Sequence, residues 1–543
     1  MAGRLRFGFL KMAFLFAKTA SMTAQSTTAG TVRTISVPLP PMGWSSWNSF
    51  SNTVNSQIIM EQARAMAANG MKNAGYTYVN IDEGWWLGKR DTNGNIVVSE
   101  KDWPAIATGD KPGDMSNIVR FIHSLGLKAG IYTDAGRDGC SLYPDLGPVY
   151  RDVGSEGHYE QDFLQFAQWG FDYVKVDWCG GDKEKLAPAV QYAEIARAID
   201  HAEKATGRHL YYSICNWGNQ SPWTWAAHID GVAGDIWRTS GDIVEPIVAG
   251  EKHADRKASF DKMLANFDAG IHPQAQQTGA YNDPDMMVLG MPGFSETQNR
   301  AHLSLWAISG APLLIGADLT KLTSETLAMI TNPEVLAIDQ DGLGLQAVKV
   351  AESETGVQVW SKILDKPGTR AVLLLNRTNA AHEVEFHSAD LGLSDSTKIE
   401  VRNLWTKSDL GSFERTAVVH VDAGDAVLLH VTGSDLPAKS YALEAIRTET
   451  PLRTITEYRF KNLAAHSQWA LVRIVYSNTE KALRFADLRV NDQTPIRVAF
   501  PPTGPEKGEI TVQIFFDRNN ATNSITFSPV AGSIPNIASI TVQ

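Results

Sequence analysis

The chain has few cysteines, and they limit the chemistry open to it. Only Cys140, Cys179 and Cys215 occur among 543 residues. The paired cysteine and histidine spacing of a zinc site does not occur, so we predict no metal. An odd count in an exported protein favours one disulfide and one buried thiol. Cys215 ends an apolar run and is best interpreted as buried, whereas Cys140 and Cys179 could be bridged.

Positive charge and long apolar runs are also scarce. The 49 lysines and arginines face 60 acidic residues, and the net charge of -11 argues against a nucleic-acid partner. A neutral polymer such as a glycan fits this charge better. After residue 24, no run approaches the roughly 20 apolar residues of a membrane span, so we expect a soluble mature protein without a membrane partner.

The amino-terminal residues have the pattern of a signal peptide. Arg4 and Arg6 precede an apolar stretch, and small residues follow up to Ala24. Lys11 interrupts the apolar stretch, but the order of charge, apolar run and small residues still predicts a signal peptide over residues 1–24. We therefore expect a secreted or periplasmic protein.

The length and the apolar content, 43%, predict two or three domains with large cores. Short runs rich in β-branched and aromatic residues alternate with helical patterns, which is typical of a parallel sheet with helices outside it. Eight such runs would close a (β/α)8 TIM barrel of the α/β class over residues 37–340. The predicted strands are Met42–Trp47, Thr77–Asp82, Lys128–Thr133, Tyr173–Trp178, Leu210–Cys215, Asp235–Ser240, Gly279–Asp285 and Pro312–Asp318.

Two intervening helices have clear starting signals. Ser56 is a predicted cap before an amphipathic stretch, and Ser295 with Gln298 forms a predicted capping box before a helix that runs to Ile308. After Gln340 the pattern changes to alternating strands without helices, which predicts an antiparallel β-domain over residues 341–432. A linker then leads to a second β-sandwich over residues 440–543.

Polar side chains collect at the predicted carboxyl ends of the barrel strands, where barrel enzymes place their sites. Asp177 ends the fourth strand, and Asp242 follows the sixth. A nucleophilic carboxylate and a protonated carboxylic acid are the minimum needed to cleave a glycosidic bond with retention. Lys175 shares a strand face with Asp177 and should hold it ionised, whereas partial burial should keep Asp242 protonated.

Strand-end acids also have structural roles, because Asp and Asn cap the helices that follow strands. Asp134 and Asp283 are the strongest candidates for such anchors. Trp85 and Trp86 either pack a loop or offer an aromatic face to a sugar. These alternatives stay open at the level of the sequence.

Several short motifs, in their order along the chain, resemble glycoside hydrolase family 27, which contains α-galactosidases and α-N-acetylgalactosaminidases. The resemblance covers roughly residues 37–431, and many motifs in one order make it specific. The motifs are Pro41–Trp47, Asn80–Glu83, Gly130–Asp134, Val174–Asp177, Cys215–Trp217, Trp237–Asp242 and Asn282–Met286.

The resemblance implies a retaining exo-glycosidase that needs no cofactor, with Asp177 as nucleophile and Asp242 as general acid/base. It also implies a disulfide between Cys140 and Cys179 beside the pocket. The residues that it implies for binding the terminal sugar are Trp47, Asp82, Glu83, Tyr132, Lys175, Cys215, Asn216, Arg238 and Asp285.

Two positions bear on the choice of sugar. Asn216 followed by Trp217 speaks against N-acetylgalactosamine, for which the resemblance implies small residues in this loop. Glu83 stands where α-galactosidases usually have aspartate, and its extra methylene extends the carboxylate by about 1.5 Å toward the exocyclic hydroxymethyl group. Some family members that favour β-L-arabinopyranose, which lacks that group, are similar to this chain here.

The sequence thus predicts hydrolysis of terminal α-D-galactosides in an oligosaccharide or polysaccharide, with β-L-arabinopyranosidase activity as the alternative. A sugar-binding protein without catalysis is the remaining alternative, since a fold alone does not fix function. The start and end of the last domain resemble a carbohydrate-binding module of the family 35 type, although a purely structural sandwich fits as well. The oligomeric state is left open by the sequence.

Overall fold

The computed structural model describes residues 32–140, 151–228, 234–244, 256–277, 279–441, 443–449, 454–464, 468–517, 522–530 and 534–543. The predicted signal peptide lies outside the described residues. None of the described helices combines the length and the apolar content needed to cross a membrane.

An eight-stranded parallel sheet forms the first structural unit. The sequential strands are neighbours, and the eighth strand pairs with the first. An isolated bridge between Met287 and Ile315 joins the segment after the seventh strand to the eighth and closes the barrel. The predicted barrel is therefore confirmed, with the third strand one residue longer than predicted and the other seven shorter. The strands are Met42–Ser45, Tyr78–Asn80, Lys128–Asp134, Tyr173–Asp177, Tyr211–Cys215, Ile236–Arg238, Tyr281–Asp283 and Leu313–Ile315.

The amino-terminal end of the barrel is filled by aromatic rings. Tyr78, Tyr173, Tyr211 and Tyr281 begin four of the strands and are buried together with Ile236. The rings of Tyr173 and Tyr211 stack at 5.7 Å between centroids. Because this layer blocks the barrel from below, a ligand can approach the strand axis only from the carboxyl end.

Helices surround the barrel strands. The capping box at Ser295 and Gln298 is confirmed, since each side chain accepts a hydrogen bond from the other residue's backbone N–H. The cap of the first long helix is Asn55 rather than Ser56, because the Asn55 side chain accepts the Ile58 N–H at 3.0 Å. The helices are Trp47–Phe50, Ser56–Ala68, Ser116–Ser124, Tyr159–Trp169, Cys179–Lys183, Pro188–Thr206, Phe260–Ala269, Glu296–Ser309, Ser324–Ile330 and Pro333–Asp339.

A short hairpin of Trp86–Arg90 and Ile96–Val98 follows the second barrel strand, a feature that the sequence did not indicate. Its first residue, Trp86, is buried. The hairpin therefore brings an indole against the rim of the barrel.

Antiparallel strands follow the barrel, in a six-stranded sheet and a two-stranded sheet. Their apolar face shares one core with the barrel, as shown by the Phe267 and Trp360 rings, whose centroids are 5.0 Å apart. Trp405 also donates its indole N–H to the Ser304 hydroxyl at 2.8 Å. The strands are Val348–Glu352, Val357–Ile363, Thr369–Asn376, His382–His387, Ile399–Asn403, Ser408–Phe413, Thr416–Val421 and Ala426–Thr432.

The last structural unit is a β-sandwich of two five-stranded sheets. One of its edges is completed by Val32–Thr34, which pairs in parallel with residues 507–509. The amino-terminal strand thus belongs to the carboxyl-terminal sandwich, and the chain crosses from there into the barrel. The other strands are Lys439–Tyr441, Glu444–Glu449, Thr454–Leu463, Trp469–Ser477, Arg484–Val490, Ile496–Phe500, Lys507–Phe515, Asn523–Pro529 and Asn536–Val542.

Candidate active site

A lysine and two carboxylates meet at the carboxyl ends of the second and fourth barrel strands. Lys175 and Asp177 lie two residues apart on the fourth strand, so their side chains point to the same face. The Lys175 Nζ atom lies 3.0 Å from Asp82 Oδ2 and 3.6 Å from Asp177 Oδ2. It also lies 5.2 Å from the centre of the Tyr132 ring. The ammonium group therefore binds Asp82 more closely than Asp177.

Asp177 is buried and accepts the Trp178 backbone N–H at 3.0 Å. Burial raises the pKa of Asp177 above its usual range, and the negative charges of Asp82 and Asp242 add to the rise. Lys175 opposes these effects without cancelling them. Lys175 thus acts in the predicted direction, toward the ionised form of Asp177, but it is shared with Asp82 and burial has the larger effect on the pKa.

Asp242 lies at the mouth of the site, with 44% of its side chain exposed. Partial burial acts to raise the pKa of Asp242, but Arg238 and Lys175 outweigh it and leave the pKa lowered. The nearest cation is Arg238, whose Nη2 atom is 3.0 Å from Asp242 Oδ1. The predicted upward shift is thus wrong for the open site, since the sequence did not place Arg238 against this carboxylate.

Arg238 also contacts the seventh strand's loop. Its Nη1 atom lies 3.0 Å from Asp285 Oδ1 and 3.8 Å from the Cys215 sulfur. Asp285, which has a φ of +105°, accepts the Ile243 N–H at 2.8 Å. Such a left-handed conformation in a non-glycine residue costs free energy and is held here by these contacts. Arg238 and Asp285 together therefore fix the loop that carries Asp242.

The two acids expected to act as anchors do so. Asp134 Oδ1 accepts the Gly136 N–H at 2.7 Å and the Gly180 N–H at 3.1 Å, which ties the loops after the third and fourth strands together. Asp283 Oδ1 accepts the Asp285 N–H at 2.9 Å. Both carboxylates hold loop backbone, and Asp283 also lines the cavity at the strand ends.

The disulfide between Cys140 and Cys179 is present, with 5.0 Å between the two Cα atoms. It joins the same two loops that Asp134 anchors. Cys215 is a free, buried thiol, as predicted. The bridge therefore fixes the wall of the site beside Asp177.

Glu83 is fully buried within this wall. A methyl group added to Gly139 would come within 2.5 Å of Glu83 Oε1 and 3.0 Å of the Trp86 ring, so the carboxylate lies against the disulfide loop. The Trp86 and Tyr132 rings are 5.8 Å apart. Glu83, Trp86 and Tyr132 thus pack together on one side of the site.

The Tyr132 hydroxyl and Asn216 Oδ1 are among the buried polar atoms that lack a hydrogen-bond partner within the residues that the structure describes. An unsatisfied buried polar group costs about 1–3 kcal/mol. The Asn216 amide nitrogen is engaged by the Asn219 carbonyl at 2.6 Å, which fixes the orientation of the side chain. Both atoms therefore keep unused hydrogen-bonding capacity beside Asp177 and Cys215.

A cavity at the strand ends brings several predicted residues together. Trp47 lies outside this set as a half-buried side chain that begins a helix at the rim. The other predicted residues outside the cavity's lining are Glu83, Tyr132, Asp177, Asn216 and Asp242. Among the residues lining the cavity are Ser45, Asp82, Lys175, Cys215, Arg238 and Asp285.

Sequence reasoning missed two contributors to the site. The Ser45 hydroxyl donates to Asp82 Oδ2 at 3.4 Å, and Ser45 ends the first barrel strand, so its position was a usable signal. Arg256 is buried, and its charge acts on both Asp242 and Asp285. No strand end or motif marks Arg256 in the sequence.

Family models match most of the chain. A model described as Alpha galactosidase A matches residues 39–341, and one described as Alpha galactosidase C-terminal beta sandwich domain matches residues 354–431. Residues 458–542 match a model described as Alpha-galactosidase, CBM13 domain, which differs from the family 35 likeness found in the sequence.

Individual relatives agree with these matches. The chain is 39% identical to a probable alpha-galactosidase of Dictyostelium discoideum, over 69% of this chain and 87% of that protein. It is 38% identical to alpha-galactosidase A of Cellvibrio japonicus, over 72% and 92% of the two chains. The crystal structure of alpha-galactosidase I from Mortierella vinacea superposes with a TM-score of 0.62 at 30% identity, over 73% and 97%.

Proposed function

Because this chain belongs to glycoside hydrolase family 27, the family of the alpha-galactosidases, we propose that it hydrolyses terminal α-D-galactosides with retention of configuration. The observation that carries this proposal is the pairing of two carboxylates with separate cations at one barrel mouth. Asp177 lies beside Lys175, and Asp242 lies beside Arg238. Such a pair can divide nucleophilic and proton-transfer roles.

In the first step, the Asp177 carboxylate attacks the anomeric carbon while Asp242 donates its proton to the departing oxygen. A β-linked galactosyl ester on Asp177 results, and the aglycone leaves as an alcohol. In the second step, Asp242 removes a proton from water, which attacks the same carbon and releases Asp177. Two inversions give net retention.

The electrostatics of the site support this change of role for Asp242. In the free site Arg238 and Lys175 lower the pKa of Asp242, whereas the negative charge of ionised Asp177 acts in the opposite direction and favours the protonated form of Asp242. Formation of the ester removes that charge, and Arg238, 3.0 Å away, then favours the carboxylate form of Asp242. The same residue thus becomes a general base when a base is needed.

The polar groups around Asp177 suit a sugar with several hydroxyls. Lys175 can donate a hydrogen bond to a sugar hydroxyl and Asp82 can accept one. The Tyr132 hydroxyl and Asn216 Oδ1 make no hydrogen bond within the described residues. The half-buried Trp47 adds aromatic surface for the apolar face of a pyranose. We assign sugar binding to these residues, together with Glu83, Cys215, Arg238 and Asp285, and we place an oligosaccharide or polysaccharide as the substrate.

The choice between galactose and L-arabinopyranose depends on Glu83. The relatives of 38–39% identity are named alpha-galactosidases, which favours galactose. The structure of a β-L-arabinopyranosidase from Geobacillus stearothermophilus is 22% identical, with a TM-score of 0.62, and this likeness bears on the fold alone. Hydrolysis of nitrophenyl α-D-galactoside and nitrophenyl β-L-arabinopyranoside by the wild type tests the assignment directly, and the galactoside should have the higher kcat/KM.

Glu83→Asp should shift that ratio further toward the galactoside. The shorter carboxylate would leave room beside Gly139 for the hydroxymethyl group, and we expect the ratio of the two kcat/KM values to rise by about 10-fold. The measurement is steady-state kinetics on both nitrophenyl glycosides. An unchanged ratio would mean that Glu83 does not limit the space for the hydroxymethyl group.

The activity should be greatest on the acidic side of neutrality. The first step needs protonated Asp242, and since Arg238 lowers the pKa of this residue, the protonated form is lost as the pH rises. The profile of kcat/KM for methyl α-D-galactoside should therefore fall within the acid range, as the pH rises through the lowered pKa of Asp242. A dinitrophenyl leaving group needs little protonation, so its kcat/KM should fall only at higher pH. A fall at the same pH for both substrates would contradict this role of Asp242.

A further inference from the structure

A second cavity, of about 620 Å³, lies between the flank of the barrel and the carboxyl-terminal sandwich. Its barrel wall carries Trp223 and Trp225, and its sandwich wall carries Trp469 and Phe515. The volume lies within the range of small-molecule sites in proteins, about 300–1,000 Å³. The active-site residues described above take no part in it.

The barrel wall presents its indole rings in fixed orientations. Trp223 stacks on His272 with 3.8 Å between ring centroids and 12° between ring planes. Burial lowers the pKa of His272 to about 4, so the imidazole is neutral at physiological pH and the stack carries no charge. Trp225 stacks on Tyr192 at 6.0 Å and donates its indole N–H to the Gln220 carbonyl. The barrel wall of the cavity is therefore an aromatic surface whose rings are already held in place.

The sandwich wall faces this aromatic surface with another aromatic pair. The Trp469 and Phe515 rings lie 5.3 Å apart in an edge-to-face arrangement, and Phe515 keeps 37% of its surface exposed. Gln277 of the barrel accepts the Gln513 backbone N–H at 3.1 Å, which joins the two walls close to the cavity. Both walls are thus held in place at one edge.

The polar groups at the rim are those that recognise a neutral, hydroxyl-rich ligand. Gln493 and Thr494 are exposed and offer amide and hydroxyl groups. The charge of Arg497 is balanced by Asp487, with 2.9 Å between Nε and Oδ1. Aromatic rings pack against the apolar faces of sugar rings. Uncharged amide and hydroxyl groups form hydrogen bonds with the hydroxyl groups at the edges of those rings.

The cavity is also within reach of the catalytic pocket. Asn216 follows the fifth barrel strand directly, at the catalytic end of the barrel, and Trp223 comes seven residues later in the same segment. Seven residues span at most about 25 Å, a distance that an extended polymer can cover. The turns around Asn216, Gly218 and Ser221 shorten this path further.

We propose that this cavity is a second, non-catalytic sugar-binding site, formed jointly by the barrel and the sandwich, for a neutral polysaccharide that carries α-galactosyl branches. The inference rests on the proposed function, because the ligand is the polymer from which the catalytic pocket removes branches. The match to a CBM13 domain covers residues 458–542 and therefore includes only the sandwich wall. Trp223 and Trp225 belong to the barrel, so the proposed site needs both the barrel and the sandwich.

Affinity electrophoresis of the full chain through native gels that contain guar galactomannan tests the proposal. An Asp177→Asn background prevents hydrolysis during the run. Trp223→Ala and Trp469→Ala, one from each wall, should each raise the apparent dissociation constant by about 10-fold or more. Trp223→Phe should keep most of the binding, and Tyr441→Ala, outside the cavity, should bind like its parent.

Separate kinetics distinguish this site from the catalytic pocket. With Asp177 intact, Trp223→Ala and Trp469→Ala should hydrolyse nitrophenyl α-D-galactoside with unchanged kcat/KM, which also shows that they fold. Equal retardation of both tryptophan variants and their parent, or no retardation of the parent, would overturn the second site. Failure of the wild type to hydrolyse the small galactoside would instead overturn the proposed function.

Discussion

Asp177→Gly should lower kcat/KM for nitrophenyl α-D-galactoside by about 10⁴-fold or more, because the variant has no group to form the glycosyl ester. The vacated space lies beneath the anomeric carbon. Sodium azide should enter it and restore turnover, and attack from that face gives β-D-galactosyl azide. Product analysis by proton NMR identifies the anomer.

Asp177→Asn is the matched control for this experiment. The amide fills the same volume, so the variant should be as inactive as the glycine variant but should not respond to azide. Equal rescue of both variants, or formation of the α-azide, would remove Asp177 from the nucleophile's role.

Asp242→Gly should lower kcat/KM by an amount that depends on the leaving group. For methyl α-D-galactoside, whose departing oxygen needs a proton, we expect a loss of about 10²–10⁴-fold. For the dinitrophenyl glycoside, the first step should be nearly unaffected, so the ester on Asp177 should accumulate and KM should fall. Azide should now attack this ester and give α-D-galactosyl azide.

The Asp177→Gly variant should give the β-azide and the Asp242→Gly variant the α-azide, so the configuration of the product distinguishes the nucleophile from the general acid/base. A loss that is the same for both leaving groups would assign Asp242 to binding rather than to proton transfer. Asp283→Asn serves as a comparison, since Asp283 holds the Asp285 backbone and should show no dependence on the leaving group.

The barrel could be predicted from sequence because its signals are local. Each strand is a short apolar run bounded by helical patterns, and acids such as Asp177 follow the runs at the end where sites form. The eight strands, the Ser295 capping box and the buried Cys215 thiol were all found in this way. The ends of the strands were predicted least accurately, because hydrogen-bond pairing with a neighbouring strand, and not residue composition, decides where a strand ends.

Features that depend on distances between remote residues could not be predicted. Burial raises the pKa of Asp177 although Lys175 opposes it, and the ion pair with Arg238 lowers the pKa of Asp242 although burial opposes it. Likewise, the pairing of residues 32–34 with residues 507–509 joins segments that are remote in the chain. No local pattern carries such information.

Retention of configuration is the central claim about this site, and the first sugar released tests it most directly. Proton NMR should be recorded during the first minutes of nitrophenyl α-D-galactoside hydrolysis, before the anomers equilibrate. Two successive displacements through Asp177 predict that α-D-galactose appears first and that the β anomer grows in later. Initial appearance of β-D-galactose would mean a single displacement by water and would contradict the account.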